Sequence, residues 1–215
     1  MSPSIFFNEE EIVEPILLTI EKVLQEKERF KLCLSGGTSI LKTLELLSTK
    51  RIPWEKVMIY QTDERIVPLD NEDSNYYWIN KLIGNKDAIL KPFYDGSSAQ
   101  ESMKFYDQYL KEKCNEIDCP FDLLLLGFGE DGHIASLFPK RDDIKLEDKI
   151  IYVEEKQNGY QRLSLGLSQL KNSTRTFIIS YRARKHRILK ENLDLNLPIH
   201  QFLKDQVNVT WYHKE

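Results

Sequence analysis

No apolar stretch of this chain is long. No unbroken run exceeds four residues, and the most apolar, Leu123 to Leu126, is closed off by Asp122 and Gly127. A membrane-spanning helix needs about 20 consecutive apolar residues, so none is expected and no membrane partner follows. Residues 1–11 lack the basic head and apolar middle of a secretory signal, which leaves a soluble, cytoplasmic protein as the expectation. Cysteine is scarce. Cys33, Cys114 and Cys119 are odd in number, and Cys114 and Cys119 have no nearby pair to complete a zinc site. Cys33 lies in an apolar run and reads as a buried thiol, so neither a disulfide framework, a metal nor a cofactor is expected. Nine glycines and eight prolines are too dispersed to mark a linker. An excess of one charge is also missing: 30 basic residues face 34 acidic ones, interspersed, which argues against a nucleic-acid arm. Any anion bound here must meet a local cationic cluster that works against a net charge of -4.

What is present suits one core. The chain has 215 residues, 41% of them hydrophobic, and reads as a single α/β domain over 1–215. Residues 11–28 place Ile12, Ile16, Ile20, Val23 and Leu24 near helical spacing. Residues 30–34 form a short apolar run, 40–47 read as helix, and 57–60 as a second strand. Helices are expected over 75–83 and 99–114. Residues 121–126 are the strongest strand, apolar almost throughout, as in a parallel strand buried on both faces. A short helix is expected near His133. Strands follow at 162–165 and 175–180, then a helix at 183–191 and a last strand at 207–211. This alternation predicts a mostly parallel, Rossmann-like sheet flanked by helices on both faces.

Ligands of such sheets bind outside the carboxyl ends of the strands, and three expected strands end in polar loops. Ser35-Gly36-Gly37-Thr38-Ser39 lets backbone N–H groups approach an anion, with Thr38 or Ser39 as helix cap; it equally fits an ordinary capped turn. Asp63-Glu64-Arg65 offers a planar guanidinium fork, or a solvated charged turn. The loop 127–139 puts His133 after three glycines, with Asp131 placed to hold its imidazole in one tautomer. That setting favours a catalytic His133. Backbone N–H groups around Gly36-Gly37 or Gly129 could serve an oxyanion. His186, His200 and His213 lack such surroundings and read as surface residues. Ser136 reads as a helix residue, since no Gly-x-Ser-x-Gly elbow is present. No Gly-x-Gly-x-x-Gly opens a helix after the first strand, which argues against a dinucleotide.

In this order, Ser35-Gly36-Gly37, Asp63-Glu64-Arg65 with Val67-Pro68 and Ser74-Asn75, Gly127 through Pro139, and Arg162-Leu163-Ser164 resemble the 6-phosphogluconolactonase family. Its sibling branch is the glucosamine-6-phosphate deaminases. The resemblance implies metal-free hydrolysis of a small sugar-phosphate lactone, 6-phospho-D-glucono-1,5-lactone, in the pentose phosphate pathway. It implies His133 as general base oriented by Asp131, and Arg162 and Lys185 on the phosphate. Arg65 would join them or polarise the carbonyl, and Ser35, Gly36, Gly37, Thr38, Asp63 and Gly129 would line the substrate. Departures from the family pattern are Ile40 in place of a proline, Ser164 in place of a threonine, and a blurred Gly-x-x-Lys. The last leaves Arg182 and Arg184 as alternatives to Lys185. The chain also ends soon after Trp211. The deaminases carry Phe-Asn-Glu-Pro where this chain has Ser136-Leu137-Phe138-Pro139, and a tyrosine where it has Arg65. Both differences favour the lactonase over a deaminase-type isomerase. A non-catalytic sugar-phosphate sensor would need neither His133 nor Asp131. The sequence sets no oligomeric state and is compatible with a monomer.

Overall fold

The computed structural model describes residues 4–5, 8, 10–112, 120–140, 148–181, 183–191 and 194–214. Cys114, Cys119 and Arg182 lie outside them. One sheet is built from β1 (Ser4–Ile5), β2 (Phe30–Leu34), β3 (Val57–Gln61), β5 (Ile89–Leu90), β6 (Leu123–Leu126), β9 (Thr176–Tyr181) and β10 (Val209–Lys214). A second contains β4 (Asp63–Arg65), β7 (Ile150–Gln157) and β8 (Tyr160–Leu165). The helices are α1 (Glu10–Glu26), α2 (Thr38–Ser48), α3 (Asn75–Ile83), α4 (Ala99–Lys111), α5 (Leu167–Lys171), α6 (Ala183–Glu191) and α7 (Pro198–Leu203).

The large sheet has the order β1-β10-β9-β6-β2-β3-β5, and every neighbouring pair is parallel. Its strands are apolar on both faces because both faces are covered. Leu32, Leu34, Ile59, Leu123, Leu125 and Phe177 pack with α1, α2 and α3. The alternate residues Cys33, Met58, Tyr60, Leu124, Leu126 and Ile178 pack with α4, α5, α6 and α7. Each fully buried leucine of this kind contributes roughly 1.5–3 kcal/mol.

From β2 the chain runs to β3 on one side, while β6, β9 and β10 build outward on the other. The crevice between the carboxyl ends of β2 and β6 is therefore the topological switch point, where ligands of open α/β sheets bind. The small antiparallel sheet closes over this end. Only Thr62 separates β3 from β4; its N–H donates to Leu34 O, and its own carbonyl accepts from Leu165 N.

Several expectations change. No helix forms near His133: Phe128 and Ile134 pair as an isolated bridge, Ile134 pairs with Leu137, and Ala135 has φ +47. Ser136 is therefore not a helix residue; it is buried and its hydroxyl donates to Asp63. His200 and His213 are interior, because each finds a partner there: Ile188 O at 3.0 Å and Ser180 Oγ at 2.9 Å. His186 is half-buried against the rings of Trp211 and His213. Asp63-Glu64-Arg65 is a strand with Asp63 and Glu64 buried, not a solvated turn. The N-cap of α2 is Gly37, without a side-chain cap, rather than Thr38 or Ser39.

Candidate active site

The crevice at the switch point is a cleft of about 240 Å³. Its floor comes from the two strand ends that meet there, tied together by Gly127 N–H donating to Ser35 Oγ at 3.0 Å. One wall is the start of α2. The amides of Gly36, Gly37, Thr38 and Ser39 have no hydrogen-bond partner among the described residues and border the cleft. An uncapped helix start presents partial positive charge to an anion. Gly36 is needed here for close approach: a Cβ at this position would stand 1.9 Å from Asn75 Oδ1.

The opposite wall carries the charges. In the β4–β8 register Asp63 faces Ser164, Glu64 faces Leu163 and Arg65 faces Arg162. Asp63 accepts from Ser136 Oγ at 2.7 Å and from Thr62 Oγ1 at 3.0 Å, and stands 3.8 Å from Arg162 Nη1. Burial pushes the Arg162 pKa down, and Asp63 opposes that shift. Arg65 Nη1 donates to Asp73 O, while its buried Nε has no partner among the described residues. Glu64 lies behind Arg65. Five groups donate to its carboxylate: Gln61 Nε2, Ser74 Oγ and the amides of Arg65, Asn75 and Tyr76. Burial still raises its pKa against those bonds. Asn75, which spacing alone did not single out, donates to Asp63 O at 2.8 Å and lines the cleft. Its signal was its place directly after the Ser74 N-cap of α3.

The rim carries His133. Its Nδ1 lies 2.6 Å from Asp131 Oδ1, and its N–H donates to the same oxygen at 3.1 Å. The bond from His133 holds the Asp131 carboxyl down at about 2. His133 O accepts from Gly129 N, and Gly129 O accepts from Gly132 N. Gly129 N–H is thus already used and cannot serve an oxyanion. A Cβ at Gly129 would meet the imidazole at 2.2 Å, so only glycine lets the ring lie there. Gly127, Gly129 and Gly132 do match dinucleotide-fingerprint spacing, yet the segment closes on itself instead of starting a helix. Phe138 packs 4.8 Å from the imidazole, with Arg162 5.7 Å from its ring on the cleft side. Lys185, on α6, stands 5.4 Å from the Phe128 ring and lines the cleft. Arg184 turns elsewhere, to Glu130 at 3.3 Å. Of the residues expected in the site, Ser35, Gly36, Gly37, Thr38, Asp63, Arg65, Gly129, His133, Arg162 and Lys185 share one cleft. Asp131 joins through His133.

A parallel sheet whose switch point holds a cationic cleft and a carboxylate-held imidazole defines an α/β protein with a site chemically suited to a small anionic molecule. Comparison with known proteins narrows the class. The family model for glucosamine-6-phosphate isomerases/6-phosphogluconolactonase matches residues 9–211. The chain belongs to that family. A 6-phosphogluconolactonase of Thermotoga maritima is 30% identical over 207 residues, covering 94% of this chain and 91% of the relative. One of Helicobacter pylori is 29% identical, covering 84% and 81%. The crystal structure of a 6-phosphogluconolactonase from Shewanella baltica has the same fold, with a TM-score of 0.88 at 22% identity over 99% of this chain and 97% of that one. Among the described residues no helix is long and apolar enough to cross a membrane.

Proposed function

We propose that this chain hydrolyses 6-phospho-D-glucono-1,5-lactone to 6-phospho-D-gluconate, a step of the oxidative pentose phosphate pathway, with His133 as base. One observation carries the reading: a carboxylate-held imidazole, three cationic side chains and an uncapped helix start converge on one cleft. The core shared between the two sheets supports treating 1–215 as one domain.

Asp131 accepts the Nδ1 proton, which leaves Nε2 of His133 as the proton acceptor. Nε2 takes a proton from water as the water oxygen bonds to the lactone carbonyl carbon, and the carbonyl electron pair moves onto its oxygen. Collapse of this tetrahedral oxyanion breaks the bond to the ring oxygen, which takes the proton back from the imidazolium. Water is added, and no external acid is consumed. General-base catalysis of this kind contributes about 10²–10⁴-fold.

Arg65, anchored at Asp73 and lining the cleft, polarises the carbonyl. The open amides of α2, with Arg162 and Lys185, take the phosphate. Binding energy from that non-reacting group aligns the ring against His133. The test is an assay with freshly generated lactone, corrected for spontaneous opening. His133→Asn should lose about 10²-fold or more in turnover yet still bind 6-phosphogluconate. Near-normal turnover in that variant rejects the base assignment.

A further inference from the structure

A second cavity, of about 530 Å³, adjoins the first. The two share Thr38, Ser39, Gly129 and Lys185 as a common wall. The second adds Lys42, Tyr181 and Glu130. Lys42 lies one turn beyond Thr38, so it projects from the same face of α2 that borders the first cavity. Its ammonium stands 5.8 Å from the centroid of the Tyr181 ring, an orienting contact for an exposed lysine. Glu130 pairs with Arg184 at 3.3 Å, and Lys42 and Lys185 are the cationic side chains in the lining of this space. A lactone with one phosphate is served by the first cavity alone, and nothing in its hydrolysis uses Lys42.

We infer that the second cavity is an anion subsite continuous with the phosphate end of the cleft, and that it admits the second phosphate of a condensed diphosphate, inorganic or esterified. One phosphate would lie against the α2 amides and Lys185, the next against Lys42. Such ligands would compete with the lactone. Only that competition rests on the proposed activity; diphosphate binding does not.

Titration calorimetry on the intact chain, at low ionic strength and without divalent cations, tests this with orthophosphate, pyrophosphate, AMP and ADP. Pyrophosphate should bind more tightly than orthophosphate. Lys42→Met should weaken pyrophosphate about fivefold, near the upper end for a solvent-facing ion pair, and leave orthophosphate within about twofold. Lys42→Arg should restore the difference. ADP binding as tightly as pyrophosphate identifies an esterified ligand; pyrophosphate binding without ADP identifies the free anion. A Lys42→Met protein that binds pyrophosphate as the parent does, or that loses both anions alike, overturns the subsite. Lys42-dependent binding in a chain that does not open the lactone would remove the activity and leave the subsite standing. Turnover without Lys42-dependent binding would do the reverse.

Discussion

Arg65 and Arg162 are neighbours across two strands, yet their surroundings divide their work. Arg162 is buried against Asp63, whereas Arg65 is only half-buried and is fixed through Asp73. Replacing Arg162 by alanine should raise KM for the phosphorylated lactone far more than for unphosphorylated gluconolactone. Replacing Arg65 should lower kcat for both alike. Steady-state kinetics with the two substrates separates these outcomes; equal KM effects of Arg162→Ala on both would remove it from the phosphate. Asp131 gives a second prediction at this scale. Its folded value of about 2 lies below the ordinary 3.8. The ionised carboxylate, hydrogen-bonded by His133, therefore stabilises the fold above the ordinary value, and that stability is lost as pH falls from about 4 to about 2. The side chain is half exposed, so solvent screening keeps the contribution small. Melting temperatures of the parent and Asp131→Asn should differ by a constant amount above about pH 5 and converge below about pH 4. A gap that persists down to pH 2 would refute the pairing.

Among the elements, the short strand β4 does most to assemble the site. Its three residues put Asp63 under Ser136, Glu64 under the start of α3 and Arg65 beside Arg162. Glu64→Gln would turn one acceptor oxygen into a donor facing N–H groups. It should destabilise the protein by about 1–3 kcal/mol, read from urea midpoints, and loosen α3 first. An unchanged midpoint would show that Glu64 does not anchor that helix. Much of this architecture was legible in the sequence, because β2, β3, β6 and β9 are apolar runs and α1, α2 and α3 carry helical periods. Of the small sheet only β8 was, as the strand expected at 162–165. Asp-Glu-Arg has the composition of a turn, and only pairing with β8 makes it a buried strand. The helices α5 and α7, at 5 and 6 residues, are too short to display a period. The histidine loop misled for a related reason: its glycines and polar residues fit a helix start, but hydrogen bonds within the loop close it first. The interior histidines were illegible because their partners, Ile188 O and Ser180 Oγ, are remote in sequence.

For the whole molecule, a net charge of -4 surrounds a cleft lined by Arg65, Arg162 and Lys185. On the proposed function, the anionic lactone would be drawn in by this local field against the overall sign. KM for the phosphorylated lactone should therefore rise with ionic strength between about 10 and 300 mM, as screening shortens from about 30 Å to below 10 Å. Unphosphorylated gluconolactone should show little change, and parallel salt curves for the two would deny the cleft its steering role. The loop from Gly129 to His133 has a different consequence. Gly129 N donates to His133 O, Gly132 N to Gly129 O and His133 N to the Asp131 carboxylate, and Gly132 O also accepts from Ile199 N. A ring that satisfies itself has no reason to reshape when cargo leaves. The corner that holds His133 should stay prefabricated throughout, with slow amide exchange at Gly129 and Gly132 whether the cleft is empty or full.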